Sequence, residues 1–84
     1  MSIDRLALRA RQIRALYQRE LTALHRDPSL SARDMTTHEA ALWRQTAERL
    51  ASLRQEAEHA GALSEEARAV FAPPPQPEIG GGDG

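Results

Sequence analysis

Residues 3–24 read IDRLALRARQIRALYQRELTAL, and the spacing of their apolar side chains decides the fold. Ile3, Leu6, Ala10, Ile13, Tyr17, Leu21 and Leu24 follow one another at intervals of three or four. At about 3.6 residues per turn those intervals keep all of them on one stripe, as in a helix that buries a single face. A half-buried strand needs an apolar residue at every second position, and this stretch does not supply that pattern. Ser2 stands where an N-cap oxygen is wanted, and Asp27-Pro28 ends the segment, because a residue before proline is driven out of the α region. The spacing predicts a first helix over 3–26.

The same period returns downstream. Trp43, Thr46, Leu50, Leu53, Ala57 and Ala60 fall at heptad spacing, with Leu42 and Ala47 widening the face. Thr36-Thr37-His38-Glu39 has the form of a capping box, in which the Thr36 hydroxyl and the Glu39 carboxylate each satisfy a free backbone N–H. Gly61 is placed as a C-terminal cap, so a second helix is predicted over 36–60. A short connector makes the two helices antiparallel neighbours joined by a coiled-coil-like seam. Ser64 caps a short third helix over 64–72, with Glu65 and Glu66 in the first turn and Leu63, Ala67, Val70 and Phe71 on a shared face. Pro73-Pro74-Pro75-Gln76-Pro77 and the glycines from Gly80 onward have few groups to bury. Residues 73–84 are therefore expected to be a disordered tail. The fold class is all-α: a helical hairpin domain over 1–72, built of two antiparallel helices and a short third one, with that tail behind it.

Composition narrows the functional classes. An 84-residue chain is at most one small domain. It has no Cys, which excludes disulfides and thiolate metal sites. No run of about 18 apolar residues exists, so no membrane span is expected. Net charge is −1, yet residues 1–26 hold six Arg against Asp4 and Glu20, while the rest of the chain is net acidic. Met1 to Arg19 is Arg-rich and amphipathic, as organellar presequences are, but Asp4, Glu20 and the scarcity of Ser argue against that reading. The expected location is the cytoplasm.

No catalytic constellation is found. His38-Glu39 begins the zinc-protease pattern H-E-x-x-H, but Leu42 stands at the second His. Glu56 and His59 have the Glu-x-x-His spacing of di-iron bundles, with Glu20 as a conceivable third ligand, yet both lie off the Leu50–Leu53 stripe. Leu16-Tyr17-Gln18 departs from the Leu-Tyr-Arg signature of small mitochondrial assembly factors at its deciding Arg, and no family is assigned. No enzyme, no cofactor and no metal site is expected.

What remains is binding. Leu8 and Leu16 lie off the apolar stripe of the first helix, and Val70 and Phe71 need a surface to meet, so these four are the expected partner-binding residues. Fewer than about twenty large apolar side chains must offset about 1.5 kcal/mol of ordering entropy per residue, which favours a protein partner or self-association as a homodimer or larger oligomer. The expectation is an adaptor, assembly factor or chaperone-like subunit. The alternative is a nucleic-acid-binding regulator: Arg5, Arg9, Arg19 and Arg26 fall within about 100° of one another on the first helix, and such a stripe can track phosphates.

Overall fold

A computed structural model describes residues 3–76. Three helices follow in order: α1 (Ile3–His25), α2 (Ala32–Ala60) and α3 (Glu65–Val70). At about 1.5 Å per residue the two long helices span about 34 and 43 Å, matching a body of 44 × 26 × 16 Å. They lie antiparallel, and α3 folds back on α1. No strand occurs among the described residues.

The turn between α1 and α2 is shorter than the expected connector over 27–35. Asp27 Oδ1 accepts from the Ser29 backbone N–H at 2.9 Å and from the Ser29 hydroxyl at 2.6 Å, an Asx turn directly before a new helix start. Those two bonds, the hydroxyl's first, hold the Asp27 carboxyl below its ordinary range. Ser31, not Thr36, caps α2: its Oγ accepts from the Asp34 N–H at 3.1 Å, and its backbone is extended. The helix therefore begins four residues ahead of the expected 36. Thr36 and Thr37 sit inside it, their hydroxyls donating to the Ala32 and Arg33 carbonyls. Glu39 is consequently not part of a capping box; its carboxylate pairs with His25 Nε2 and ties the end of α1 to α2.

The seam between the helices is the one the spacing predicts. Leu6, Ala10 and Tyr17 from α1 and Thr46, Leu50, Leu53 and Ala57 from α2 are buried. Ala10 and Ala57, fully enclosed, allow the backbones to approach closely near the open end of the hairpin. Thr46, the only polar member, leaves no buried side-chain atom unpaired among the described residues. Gly61 caps α2 as expected, its N–H bonding the Ala57 carbonyl at 3.2 Å, and Ser64 caps α3 through the Ala67 N–H at 3.1 Å.

Two expectations about the C-terminal part need correction. Phe71 is not on an exposed edge. It is 1% exposed and is among the largest side chains of a core shared with Leu6, Ala10, Leu50, Leu53 and Ala57. Val70 and Leu63 are half-buried against the same cluster. A six-residue helix has no stability of its own, so α3 exists because it delivers Phe71 to the gap that two helices leave open.

The packed chain also continues beyond residue 72. Arg14 Nη1 donates to the Ala69 and Ala72 carbonyls at 3.3 and 3.0 Å, and the Trp43 indole N–H donates to the Pro74 carbonyl at 2.8 Å. Pro74 is buried. Prolines supply no N–H, but their carbonyls remain acceptors: Trp43 on α2 holds the Pro74 carbonyl, while Arg14 on α1 holds the alanine carbonyls just ahead of the proline run. The expected tail boundary at 73 thus falls inside this clasp, while residues 77–84 lie outside the described residues.

Candidate protein-docking face

With the inner faces of both helices closed, the outward side of α1 is what the fold presents. Each residue turns a helix by about 100°. A sector of about 120° on the outer side of α1, bounded by Asp4 and Glu20, therefore holds Arg5, Leu8, Arg9, Gln12, Ala15, Leu16, Arg19 and Ala23, with Arg26 just past the helix end. All nine are exposed. Leu8 at 55% and Leu16 at 42% are the only large apolar side chains classed as exposed among the described residues. Eight residues separate them, about 12 Å along the axis.

The electrostatics of this face are one-sided. Four Arg lie in the sector and no acidic residue does; Asp4 and Glu20 stand at its two edges. Among the described residues, the side chains of Arg9, Arg19 and Arg26 make no ion pair or hydrogen bond. Shallow open depressions lie at both ends of the row, one beside Leu8 and Gln12 and the other beside Thr22 and Ala23.

The expected partner-binding set is thereby split. Leu8 and Leu16 share the outer face of α1, whereas Val70 and Phe71 serve the core at α3. The expected polyanion-binding set, Arg5, Arg9, Arg19 and Arg26, is brought together on the same face as the two leucines, which the sequence reading treated as separate features. Arg14 was assigned no role from sequence, and its position flanking the buried stripe gave only a weak signal that it would reach α3.

The outer face of α2 is different in kind. It carries Ala41, Glu48, Ser52, Gln55 and His59, small or polar and all exposed. Glu56 and His59 are exposed as well, and no three His, Asp or Glu come together in a metal-holding group among the described residues. At the turn end of the hairpin, burial first and the neighbouring Glu39 carboxylate second push the Tyr17 phenol above its ordinary pKa. No described helix is long and apolar enough to cross a membrane. Comparison with known proteins gives no match: no family model, no curated protein and no solved structure aligns with the chain.

Proposed function

We propose that this protein is a helical docking module, an adaptor, assembly factor or chaperone-like subunit that engages another protein through the outer face of α1. The observation that carries the reading is the placement of Leu8 and Leu16, the only large exposed apolar side chains of the described chain, on that face. Every other large apolar side chain among the described residues is at least half-buried, with Phe71 in the core rather than waiting for a partner. Fully burying one Leu is worth about 1.5–3 kcal/mol relative to leaving it in water. Two of them, already on a rigid helix, supply a small preorganised anchor of the kind that dominates protein interfaces.

The nucleic-acid reading has the Arg row in its favour. It leaves Leu8 and Leu16 without a role, since phosphate contacts are polar throughout. It also lacks an aromatic on this face on which a base could stack.

The double variant Leu8→Glu/Leu16→Glu tests the reading. Both sites are exposed, so its melting temperature should stay close to the parent's, with a stability change of about 0.5 kcal/mol. Isolated from the cells that make it, the parent should run as a larger complex and the double variant as the bare 9.3 kDa chain. A double variant that keeps the same complex would overturn the assignment of this face.

A further inference from the structure

At Leu16 the outer face of α1 turns into the seam, and a polar cleft opens there. Ile13, Leu16, Tyr17 and Glu20 are spaced i, i+3, i+4 and i+7, so they line one flank of α1. Leu42, Gln45, Thr46 and Arg49 repeat that spacing on α2. Between the two flanks lies a space of about 70 Å³, room for about two waters. We infer that this cleft receives a carboxamide, the side chain of an Asn or Gln carried by the protein that docks on α1. The source of the carboxamide rests on the reading of α1's outer face as the docking face; the chemistry of the cleft does not.

The ligand class follows first from two unpartnered hydroxyls. Tyr17 and Thr46 are 3% and 5% exposed, yet among the described residues neither hydroxyl makes a hydrogen bond. Neither oxygen is sealed off, and the open space that both residues line is the cleft. Thr46 shares its buried stripe with Leu50, Leu53 and Ala57, all apolar. A hydroxyl held there without a partner costs stability relative to the methyl of Val. The fold gains nothing from it, whereas a polar ligand does. Burial first and Glu39 second raise the Tyr17 phenol above its ordinary 10.0, so that hydroxyl keeps its proton and can donate as well as accept.

Charge balance narrows the class further. Glu20 and Arg49 line the cleft from opposite helices, and among the described residues neither forms an ion pair or hydrogen bond. An anion would meet Glu20 and, near Tyr17, the field of Glu39. A cation would meet Arg49. A neutral carboxamide avoids both and can turn its carbonyl to Arg49 and its NH2 to Glu20. Gln45 adds direct complementarity: its own amide carries one acceptor and one donor group, the mirror of another carboxamide, and it has no partner within the described chain. Ile13, Leu16 and Leu42 give apolar walls for the methylenes that lead in. Leu16 belongs both to those walls and to the outer face, so a chain held on the face passes the mouth of the cleft.

The test titrates the isotope-labelled full chain with acetamide, acetate and methylammonium, followed by heteronuclear NMR. Acetamide should shift the Gln45 side-chain amide and the Thr46 and Arg49 backbone amides saturably, with an affinity of about millimolar order, within reach of so small a ligand. Acetate and methylammonium should not. Thr46→Val and Tyr17→Phe should each weaken acetamide about fivefold, the share of one hydrogen bond. Thr46→Val should meanwhile leave the melting temperature unchanged or raised, because it breaks no internal bond. In the complex isolated from the cells that make the chain, the two substitutions together should speed partner release by at least about tenfold.

Acetate or methylammonium binding as tightly as acetamide overturns the inference, because the cleft then reads charge. So does acetamide binding that is indifferent to Thr46→Val, or a melting temperature that falls with Thr46→Val, which would make the hydroxyl part of the fold. Acetamide held in the cleft with partner release unchanged refutes the docked chain as the source and assigns the cleft to a free amide. Acetamide that fails while Leu8→Glu/Leu16→Glu still strips the natural complex refutes the cleft and leaves the docking face standing. A Leu8→Glu/Leu16→Glu chain that keeps its complex refutes the face itself.

Discussion

Replacing Phe71 with Ala removes a ring that is 1% exposed and packs among Leu6, Ala10, Leu50, Leu53 and Ala57. Truncation of a buried Phe costs about 3–5 kcal/mol, the transfer of the ring plus the cavity left behind. Chains of this size are stable by only about 0.05–0.15 kcal/mol per residue, or roughly 4–11 kcal/mol for the part described. The loss is thus a large share of the whole. For a domain of 60–100 residues each kcal/mol moves the melting temperature by about 4–8 °C, so Phe71→Ala should lower it by at least about 12 °C. Thermal unfolding followed by far-ultraviolet circular dichroism reads this directly. Hydrogen exchange adds the location: amides of α3 should lose protection first, because six residues do not hold a helix without their anchor. A melting temperature within about 4 °C of the parent's would refute the reasoning. It would mean that α1 and α2 close their own seam and that Phe71 lies outside it in solution.

Two further outcomes follow from the clasp and the seam. Trp43→Phe keeps most of the ring but removes the N–H that meets the Pro74 carbonyl at 2.8 Å; leaving a buried acceptor unpaired costs about 1–3 kcal/mol, measurable as a lower denaturant midpoint, and an unchanged midpoint would show that residues 73–76 contribute nothing to the fold. Tyr17 has a phenol pKa raised above its unfolded value of 10.0, so its contribution is fully present below pH about 10 and is lost as pH rises through the folded value; alkaline melting curves should show that loss, and Tyr17→Phe should abolish this component.

The hairpin was legible in the sequence because its signal is periodic and redundant. Seven apolar positions in α1, and five in α2 together with Thr46, all report the same two stripes, and an error at one is outvoted by the others. Gly61 and Ser64 were legible for another reason: each stands where a helix end needs a special residue, with no rival nearby. The start of α2 had a rival. Thr36-Thr37-His38-Glu39 and Ser31-Ala32-Arg33-Asp34 both place an oxygen three residues ahead of an acidic side chain. Local pattern cannot choose between them. The choice is made by Glu39, which is drawn to His25 across the turn, and by Asp27, whose turn with Ser29 completes the reversal early.

Phe71 was misplaced because it stands just past α3, as the residue that caps its C-terminal end, where helical spacing no longer tells whether a side chain points inward. Pro74 was misplaced because composition counts donors and apolar area, whereas the Pro74 carbonyl finds its donor only when the hairpin positions Trp43, with Arg14 securing the Ala69 and Ala72 carbonyls ahead of it. On the docking face, Leu8 and Leu16 stood out as apolar residues with no stripe to join. Their coincidence with the Arg row follows from the helical angle of each residue. It acquired meaning once α3 and the proline clasp had closed the other side.

The central claim is that the fold leaves one face, the outer side of α1, for another protein. A photo-cross-linking amino acid placed in turn at Leu8, Gln12, Leu16 and Ala23, and at Ala41, Glu48, Ser52 and Gln55 on the outer side of α2, tests it most directly in the cells that make the chain. All eight positions are exposed, so none of the replacements disturbs the core. The account predicts one discrete protein adduct from the α1 positions, strongest at Leu16, and none from the α2 positions. Adducts confined to α2, adducts of equal strength on both helices, or adducts with nucleic acid from α1 would contradict it.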